Sequence, residues 1–291
     1  MTHHPIVKAF FDNATATVTY LVSDPATRMA AIIDPVLDYE PKSARTTTVS
    51  ADALILAAAS DGLNVRWILE THAHADHLSA ADYLRRKLAA KIGIGAHIVD
   101  VQKAFKPLFN ATDVVEDGRA FDVLFNDGDE FRIGELKVRV LQTPGHTPAC
   151  VTYVVGNAAF VGDTLFQPDY GTARTDFPGG DAATLYRSIG RILDLPPSTR
   201  VFTGHDYLPA GRAAPAWEST VAEQRAANIH VHIGVSEAEF VAMRTARDKT
   251  LTPPVLILPS LQVNIRAGAM PPADTDGNVY LKLPLNKLGK G

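Results

Sequence analysis

Short apolar runs separated by turn residues open the chain. Ile6-Val7-Lys8-Ala9-Phe10-Phe11, Ala16-Thr17-Val18-Thr19-Tyr20-Leu21-Val22 and Met29-Ala30-Ala31-Ile32-Ile33-Asp34 read as three strands, punctuated by Asp12-Asn13 and Asp24-Pro25. A polar loop is expected from about Asp38 to Thr48. A helix follows to about Asp61 with Ser50 as its N-cap. The run Val65–Glu70 reads as a strand, Leu78–Ala90 as a helix, Ile92–Gly95 as a short buried strand, and Ile98–Phe109 as a helix.

The second half repeats this alternation. Hairpins are expected around Gly134-Glu135 and Gly156-Asn157, joining 131–133 to 136–141 and 151–155 to 158–161. Ala182–Leu193 reads as a helix and Arg200–Thr203 as a strand. After Tyr207 the pattern changes to helices over about Trp217–Asn228 and Ser236–Lys249, then Pro-rich turns, then the run Asn278–Leu283. Two β-rich halves with helices between them predict an α/β architecture with a sheet-on-sheet core covered by helices, not a regular βαβ array. The expected organisation is a single domain over residues 1–291, with about residues 208–291 as a C-terminal extension packed on it.

Composition narrows the function classes. The formal net charge of −4 over 291 residues argues against a nucleic-acid partner. A lone cysteine, Cys150, excludes an intramolecular disulfide and a Cys-rich metal site. It starts a strand, so it is read as a buried inert thiol and not a nucleophile. Met1-Thr2-His3-His4-Pro5 shows no secretory signal, and His3 and His4 are read as terminal residues without a role. No apolar stretch approaches membrane-spanning length. A reducing compartment and a cytoplasmic location are the expectation, with no membrane contact.

The chemistry concentrates in four segments. Thr71-His72-Ala73-His74-Ala75-Asp76-His77 follows a strand. His72 and His74 are two apart, so on extended backbone they point the same way. Thr143-Pro144-Gly145-His146-Thr147-Pro148 also follows a strand, as do Gly162-Asp163-Thr164 and Thr203-Gly204-His205-Asp206-Tyr207. Taken alone, each has an ordinary reading: a capping Asp, a Pro-Gly turn, an exposed His. Four strand ends each delivering His or Asp suit a transition metal bound between sheets.

In this order the motifs resemble the ligand series of the metallo-β-lactamase superfamily. The resemblance implies a four-layer αβ/βα sandwich with the metal at one edge and a C-terminal extension. Within the superfamily, Arg174-Thr175-Asp176-Phe177 with its Gly-containing loop, His205-Asp206-Tyr207, Ser219–Glu223 and Leu258–Asn264 look like the persulfide dioxygenase branch. That branch implies one Fe(II) per chain on His72, His146 and Asp163, and oxidation of glutathione persulfide by O2 to sulfite and glutathione. His74, Asp76, His77 and His205 would then support those ligands. A sulfurtransferase and a second copy of the chain are candidate partners.

The same seven side chains also suit a dinuclear zinc thioester hydrolase of the glyoxalase II kind. His72, His74 and His146 would then hold one ion and Asp76, His77 and His205 the other, with Asp163 bridging. A third reading is a metal-binding partner protein without turnover. Tyr207 and His205 are the candidate catalytic groups near the open face. Tyr170, Arg174, Arg225 and Arg266 are candidate glutathione contacts; Arg174 is read alternatively as a structural pair to Asp176.

Overall fold

The computed structural model describes residues 4–288; His3 and the rest of Met1–His3 lie outside them. The first half runs β1 (Ile6–Asp12), β2 (Thr17–Ser23), β3 (Met29–Ile33), β4 (Val36–Glu40), β5 (Arg45–Thr47), α1 (Val49–Ser60), β6 (Asn64–Leu69), β7 (Leu78–Ser79), α2 (Ala81–Leu88), β8 (Lys91–Gly95), α3 (Ile98–Phe109) and β9 (Val123–Phe125). The second runs β10 (Glu130–Ile133), β11 (Leu136–Gln142), β12 (Val151–Val155), β13 (Ala158–Gly162), α4 (Ala182–Leu193), β14 (Arg200–Thr203), β15 (Glu218–Thr220), α5 (Val221–Ala227), α6 (Glu237–Asp248) and α7 (Ile257–Asn264).

Two six-stranded sheets result, ordered β1-β2-β3-β6-β8-β9 and β10-β11-β12-β13-β14-β15. Strand periodicity explains how they stack. Val18, Tyr20 and Val22 of β2 and Ala31 and Ile33 of β3 face Val138, Val140, Tyr153, Phe160 and Phe202 of the other sheet. The alternate residues Leu21, Ala30 and Ile32 pack under α1, α2, α3 and α7. On the far side, Ala159, Val161 and Val201 pack against α4 and α6. The strands are therefore buried on both faces, and the order of layers is helices, sheet, sheet, helices. No helix among the described residues is long and apolar enough to cross a membrane.

Several local expectations are corrected. The loop expected at 38–48 is a hairpin, because Asp38, Tyr39 and Glu40 pair with Thr47, Thr46 and Arg45. Helix α1 starts at Val49 after Thr48. Ser50 is not its cap, since its Oγ and N–H are both bonded to Asp38. The helix expected from Leu78 begins only at Ala81, because Leu78 and Ser79 pair with Leu37 and Val36. Strand β9 lies where no element was expected. The helix expected from Trp217 begins with edge strand β15, and α5 starts at the capping box of Thr220 and Glu223. The Pro-rich stretch contains α7, with Pro259 in its first turn, where a missing N–H costs nothing.

Helix α7 ties the C-terminal segment to the first ligand loop. Asn264, fully wrapped by protein, donates its side-chain N–H groups to the carbonyls of His74 and His77, both at 2.8 Å, and accepts the Ser79 N–H at 2.8 Å. Asn264→Leu leaves three buried backbone groups unpaired. It is expected to lower unfolding stability by about 3 kcal/mol, from roughly 1 kcal/mol or more per orphaned group, read by urea unfolding of the metal-free chain. An unchanged midpoint and slope would contradict this role for Asn264.

Candidate metal centre

Buried hydrogen bonds set which atom each histidine presents. Asp34, at φ 50° just beyond β3, accepts the Thr71 N–H at 2.7 Å and the Thr71 hydroxyl at 2.8 Å. With its proton committed, the Thr71 hydroxyl is left to accept from His72 Nδ1 at 3.1 Å. His72 Nε2 is then a bare lone pair, and it has no hydrogen-bond partner. His146 reaches the same state differently: its Nδ1 donates to the Arg174 carbonyl at 2.8 Å, leaving Nε2 free. The two Nε2 atoms lie 3.9 and 3.8 Å from the same oxygen, Asp163 Oδ2. Metal–ligand bonds of about 2.0–2.2 Å put ligand atoms about 3–4 Å apart, so this triangle fits one ion.

A second set of atoms lies beside it. His74, Asp76, His77 and His205 bring one ligand atom each within 4.8 Å of one another. Thr17 Oγ1 lies 3.2 Å from His77 Nδ1 and 3.4 Å from His205 Nδ1. The Nε2 atoms of both rings, His74 Nδ1, Asp76 Oδ2 and Asp163 Oδ1 are buried and without hydrogen bonds. Asp76 Oδ2 and His205 Nε2 are 2.8 Å apart yet misaligned for a hydrogen bond, as atoms aimed at a common point would be. Asp163 offers Oδ2 to the first set and has Oδ1 3.4 Å from His205 Nε2. These unpartnered donors fit a metal centre, with His72, His146 and Asp163 as one complete three-ligand face.

The electrostatics agree. Burial alone would lower the His205 pKa, but the Asp163 and Asp76 carboxylates raise it to about 9. Burial lowers His77 to about 4, so that ring is neutral at pH 7. The buried carboxylates favour positive charge at this point, and a divalent cation would supply it. His74 is anchored from behind: its Nε2 lies 3.0 Å from Asp34 and 3.2 Å from Glu70, two buried carboxyls. Burial opposes its charge, yet Asp34 and Glu70 raise its pKa well above the usual histidine range.

Backbone approach completes the centre. The cluster lies beyond the end of β6, not on it, and the His72 and His74 rings still meet at 4.1 Å. Gly162, at φ 53°, ends β13 against Thr71, where a Cβ would fall 2.4 Å from the Thr71 hydroxyl. Gly145, at φ 132°, lies on the backbone of Leu185 in α4, leaving no room for a side chain.

A cavity of about 510 Å³ opens over the centre, lined by His146, Asp163 and Asp76. Tyr170 and Tyr207 also line it, and the Tyr207 ring stacks on His205 at 5.4 Å. Arg174 lines it too, but its guanidinium is committed to Asp176 at 2.6 and 2.7 Å and to the Thr252 carbonyl at 2.7 Å. Of its two readings the structural pair is the one observed. The other two arginines do not reach the cavity. Arg225 sits on α5 and bonds the Leu193 carbonyl, while Arg266 follows α7 and pairs with Asp113. Both lie in the outer helical layers, on opposite sides of the sandwich. Asp34, Glu70, Thr17 and Asn264 were missed as supports. The available signal was a polar residue closing or interrupting an apolar run, as Asp34 does after Met29–Ile33.

A sequence profile described as the metallo-beta-lactamase superfamily matches residues 13–205. The chain belongs to that superfamily, and the four layers expected from the resemblance are observed. Among curated relatives, a β-lactamase hydrolase-like protein of Agrobacterium fabrum is 57% identical over 98% of this chain, which spans only 65% of that protein's length. Glyoxylase B2 of Dictyostelium discoideum is 47% identical over 99% of both chains. The human mitochondrial persulfide dioxygenase ETHE1 is 31% identical over 92% of this chain and 90% of its own. The crystal structure of ETHE1 from Myxococcus xanthus superposes with a TM-score of 0.72 at 32% identity, covering 91% of this chain and all of that one.

Two outcomes follow. Asp163→Ala removes the carboxylate that both sets of atoms share, so metal affinity is expected to fall by more than ~100-fold, the upper range for losing even an outer support. Elemental analysis after dialysis reads this, and full retention of metal would contradict the shared role. Burial pushes the Cys150 thiol up to about 12. It stays protonated below that pH, so iodoacetamide at pH 8 should label it only after unfolding; rapid labelling of the native chain would contradict its enclosure.

Proposed function

We propose that this chain is an iron-dependent persulfide dioxygenase that converts glutathione persulfide, O2 and water to glutathione and sulfite. The observation that carries the reading is the separate face of His72 Nε2, His146 Nε2 and Asp163 Oδ2, with both histidine tautomers set by hydrogen bonds. Two histidines and one carboxylate are the donor set of non-haem Fe(II) oxygenases. Similarity to a persulfide dioxygenase over nine-tenths of both chains supports it. Bound Fe(II) would supply the redox chemistry that joins O2 to sulfur.

The protein's own contribution is positional. The Arg174 carbonyl and the Thr71 hydroxyl orient the two rings, and Asp34 holds Thr71. Phe166, Tyr170 and Tyr207 form an aromatic wall that limits water around the reacting sulfur. In atom balance, the S–S bond of the persulfide breaks. The terminal sulfur gains three oxygens, two from O2 and one from water, and is oxidised to sulfite as O2 is reduced. The remaining sulfur leaves as the glutathione thiol.

A second reading, a dinuclear hydrolase of glutathione thioesters, is favoured by the unpartnered Asp76 Oδ2, His77 Nε2 and His205 Nε2 and by the glyoxylase name of one relative. Metal content and oxygen uptake separate the two. The dioxygenase should carry about one iron per chain and consume one O2 per sulfite formed from glutathione persulfide. An iron-loaded sample that takes up no O2 would sink this reading. Two zinc ions with cleavage of S-D-lactoylglutathione would establish the hydrolase in its place.

A further inference from the structure

A further set of supports begins outside the centre, in the turn between β1 and β2. Asp12 and Thr17 face each other across that hairpin. Asp12 Oδ2 accepts the Thr15 N–H at 2.8 Å and the Thr15 hydroxyl at 2.6 Å. Thr15 Oγ1 lies 2.8 Å from Thr17 Oγ1, which in turn lies 3.2 Å from His77 Nδ1 and 3.4 Å from His205 Nδ1. Two hydroxyls thus join one half-buried carboxylate to two fully buried rings.

The direction of each bond follows from what its atoms can do. A carboxylate only accepts, so the Thr15 hydroxyl spends its proton on Asp12. Thr15 Oγ1 can then only accept, and the proton between the two hydroxyls belongs to Thr17. Thr17 Oγ1 is left with two lone pairs, and two ring nitrogens face them. Both Nδ1 atoms must carry protons to make those bonds. When each ring is neutral, its lone pair is therefore on Nε2. Those are the two ring atoms that are buried without a hydrogen-bond partner. Asp76 Oδ1, 3.6 Å from His77 Nδ1, favours the same tautomer.

Main-chain pairing already docks this hairpin on the strand end that delivers His205. Thr17 bridges His205 in antiparallel fashion, the Val18 N–H donates to the Gly204 carbonyl at 2.8 Å, and the Asp206 N–H donates to the Ala16 carbonyl at 3.0 Å. None of these contacts uses a side chain, so the Thr17 hydroxyl is not required for docking. Its effect falls on the two rings.

We propose that Asp12, Thr15 and Thr17 are positioning residues of the metal centre, a polarised relay that holds His77 and His205 with Nε2 free to bind a cation. The inference rests on the presence of a metal centre and not on the reaction performed there. The same device appears in shorter form at His72, where Asp34 fixes the Thr71 hydroxyl and Thr71 fixes the ring. A bond accepted from Nδ1–H orients the ring and raises the basicity of the nitrogen that faces the metal.

The test compares Thr17→Val, which keeps the shape and loses the hydroxyl, with Thr17→Ser, which keeps the hydroxyl. Nitrogen-15 NMR of the metal-free chain at pH 7, with the His77 signals assigned through His77→Gln, reads the tautomer. Wild type and Thr17→Ser should carry the His77 proton on Nδ1, and Thr17→Val should lose that preference. Zinc titration against a chromophoric chelator should find two ions in the wild type. One should bind roughly 10–100-fold more weakly in Thr17→Val, the usual cost of removing such a support, and the other should be unchanged. Thr17→Ser should restore the affinity, and Asp12→Ala, which frees the relay to reverse, should lie between. A wild-type His77 proton on Nε2 would overturn the relay. So would a single zinc ion in the wild type, zinc affinities unchanged in Thr17→Val, or a loss that Thr17→Ser does not restore. The expected pattern in an iron-loaded chain that consumes no O2 would uphold the relay and refute only the dioxygenase reading.

Discussion

The centre depends on one buried carboxylate that is not a metal ligand in any reading of the site. Asp34 leaves β3 in a left-handed conformation and grips the Thr71 N–H, the Thr71 hydroxyl and His74 Nε2. Burial pushes its carboxyl up, but the charge and hydrogen bond of His74, with the bonds from Thr71, hold it below the usual carboxylate range. Each bond has a consequence. The one to the Thr71 hydroxyl decides which nitrogen of His72 is free. The one to His74 turns that ring so that its Nδ1 faces away from Asp34. A buried charge with three donors is tolerable; without them it would be among the costliest groups in the protein.

The two sheets are tied at the points where they supply ligands. Tyr20 of the first sheet donates across the core to the Thr203 carbonyl at 2.6 Å, two residues before His205. Tyr153 of the second donates back to the Glu70 carbonyl at 2.9 Å, two residues before His72. Each tyrosine buries its ring in the intersheet core and spends its hydroxyl on a strand-end peptide. Sheet packing is thereby converted into registry between His72 and His205, contributed from opposite sheets. Asn264 adds a third tie, so the segment after Tyr207 bears on the metal centre as well as on the cavity wall.

Much of the fold and of the ligand inventory was legible in the sequence. The hairpins around Gly134 and Gly156 and the helices Ile98–Phe109 and Ala182–Leu193 stand where the pattern put them, because local periodicity and turn chemistry dominate there. The hairpin at 36–47 was not legible because its polar residues read as a loop, and the strand at Leu78 because its pairing partner lies some forty residues back and its residues read as a helix start. Helix α7 was hidden by Pro253 and Pro254 before it and Pro259 within it; proline punctuates sequence but is harmless in a first helical turn.

By itself the sequence determined the number, type and order of the candidate metal ligands, because each group follows an apolar strand and three of the four strand ends are also marked by glycine or proline. Which atoms of those side chains remain free was decided only by the tertiary structure. Asp34 lies 37 residues from Thr71 and Arg174 lies 28 from His146, and such hydrogen bonds leave no local pattern. The same holds for the arginines. Arg174, Arg225 and Arg266 are equivalent as sequence, and their roles follow from their partners: Asp176, the Leu193 carbonyl, and Asp113 at a separation of 153 residues.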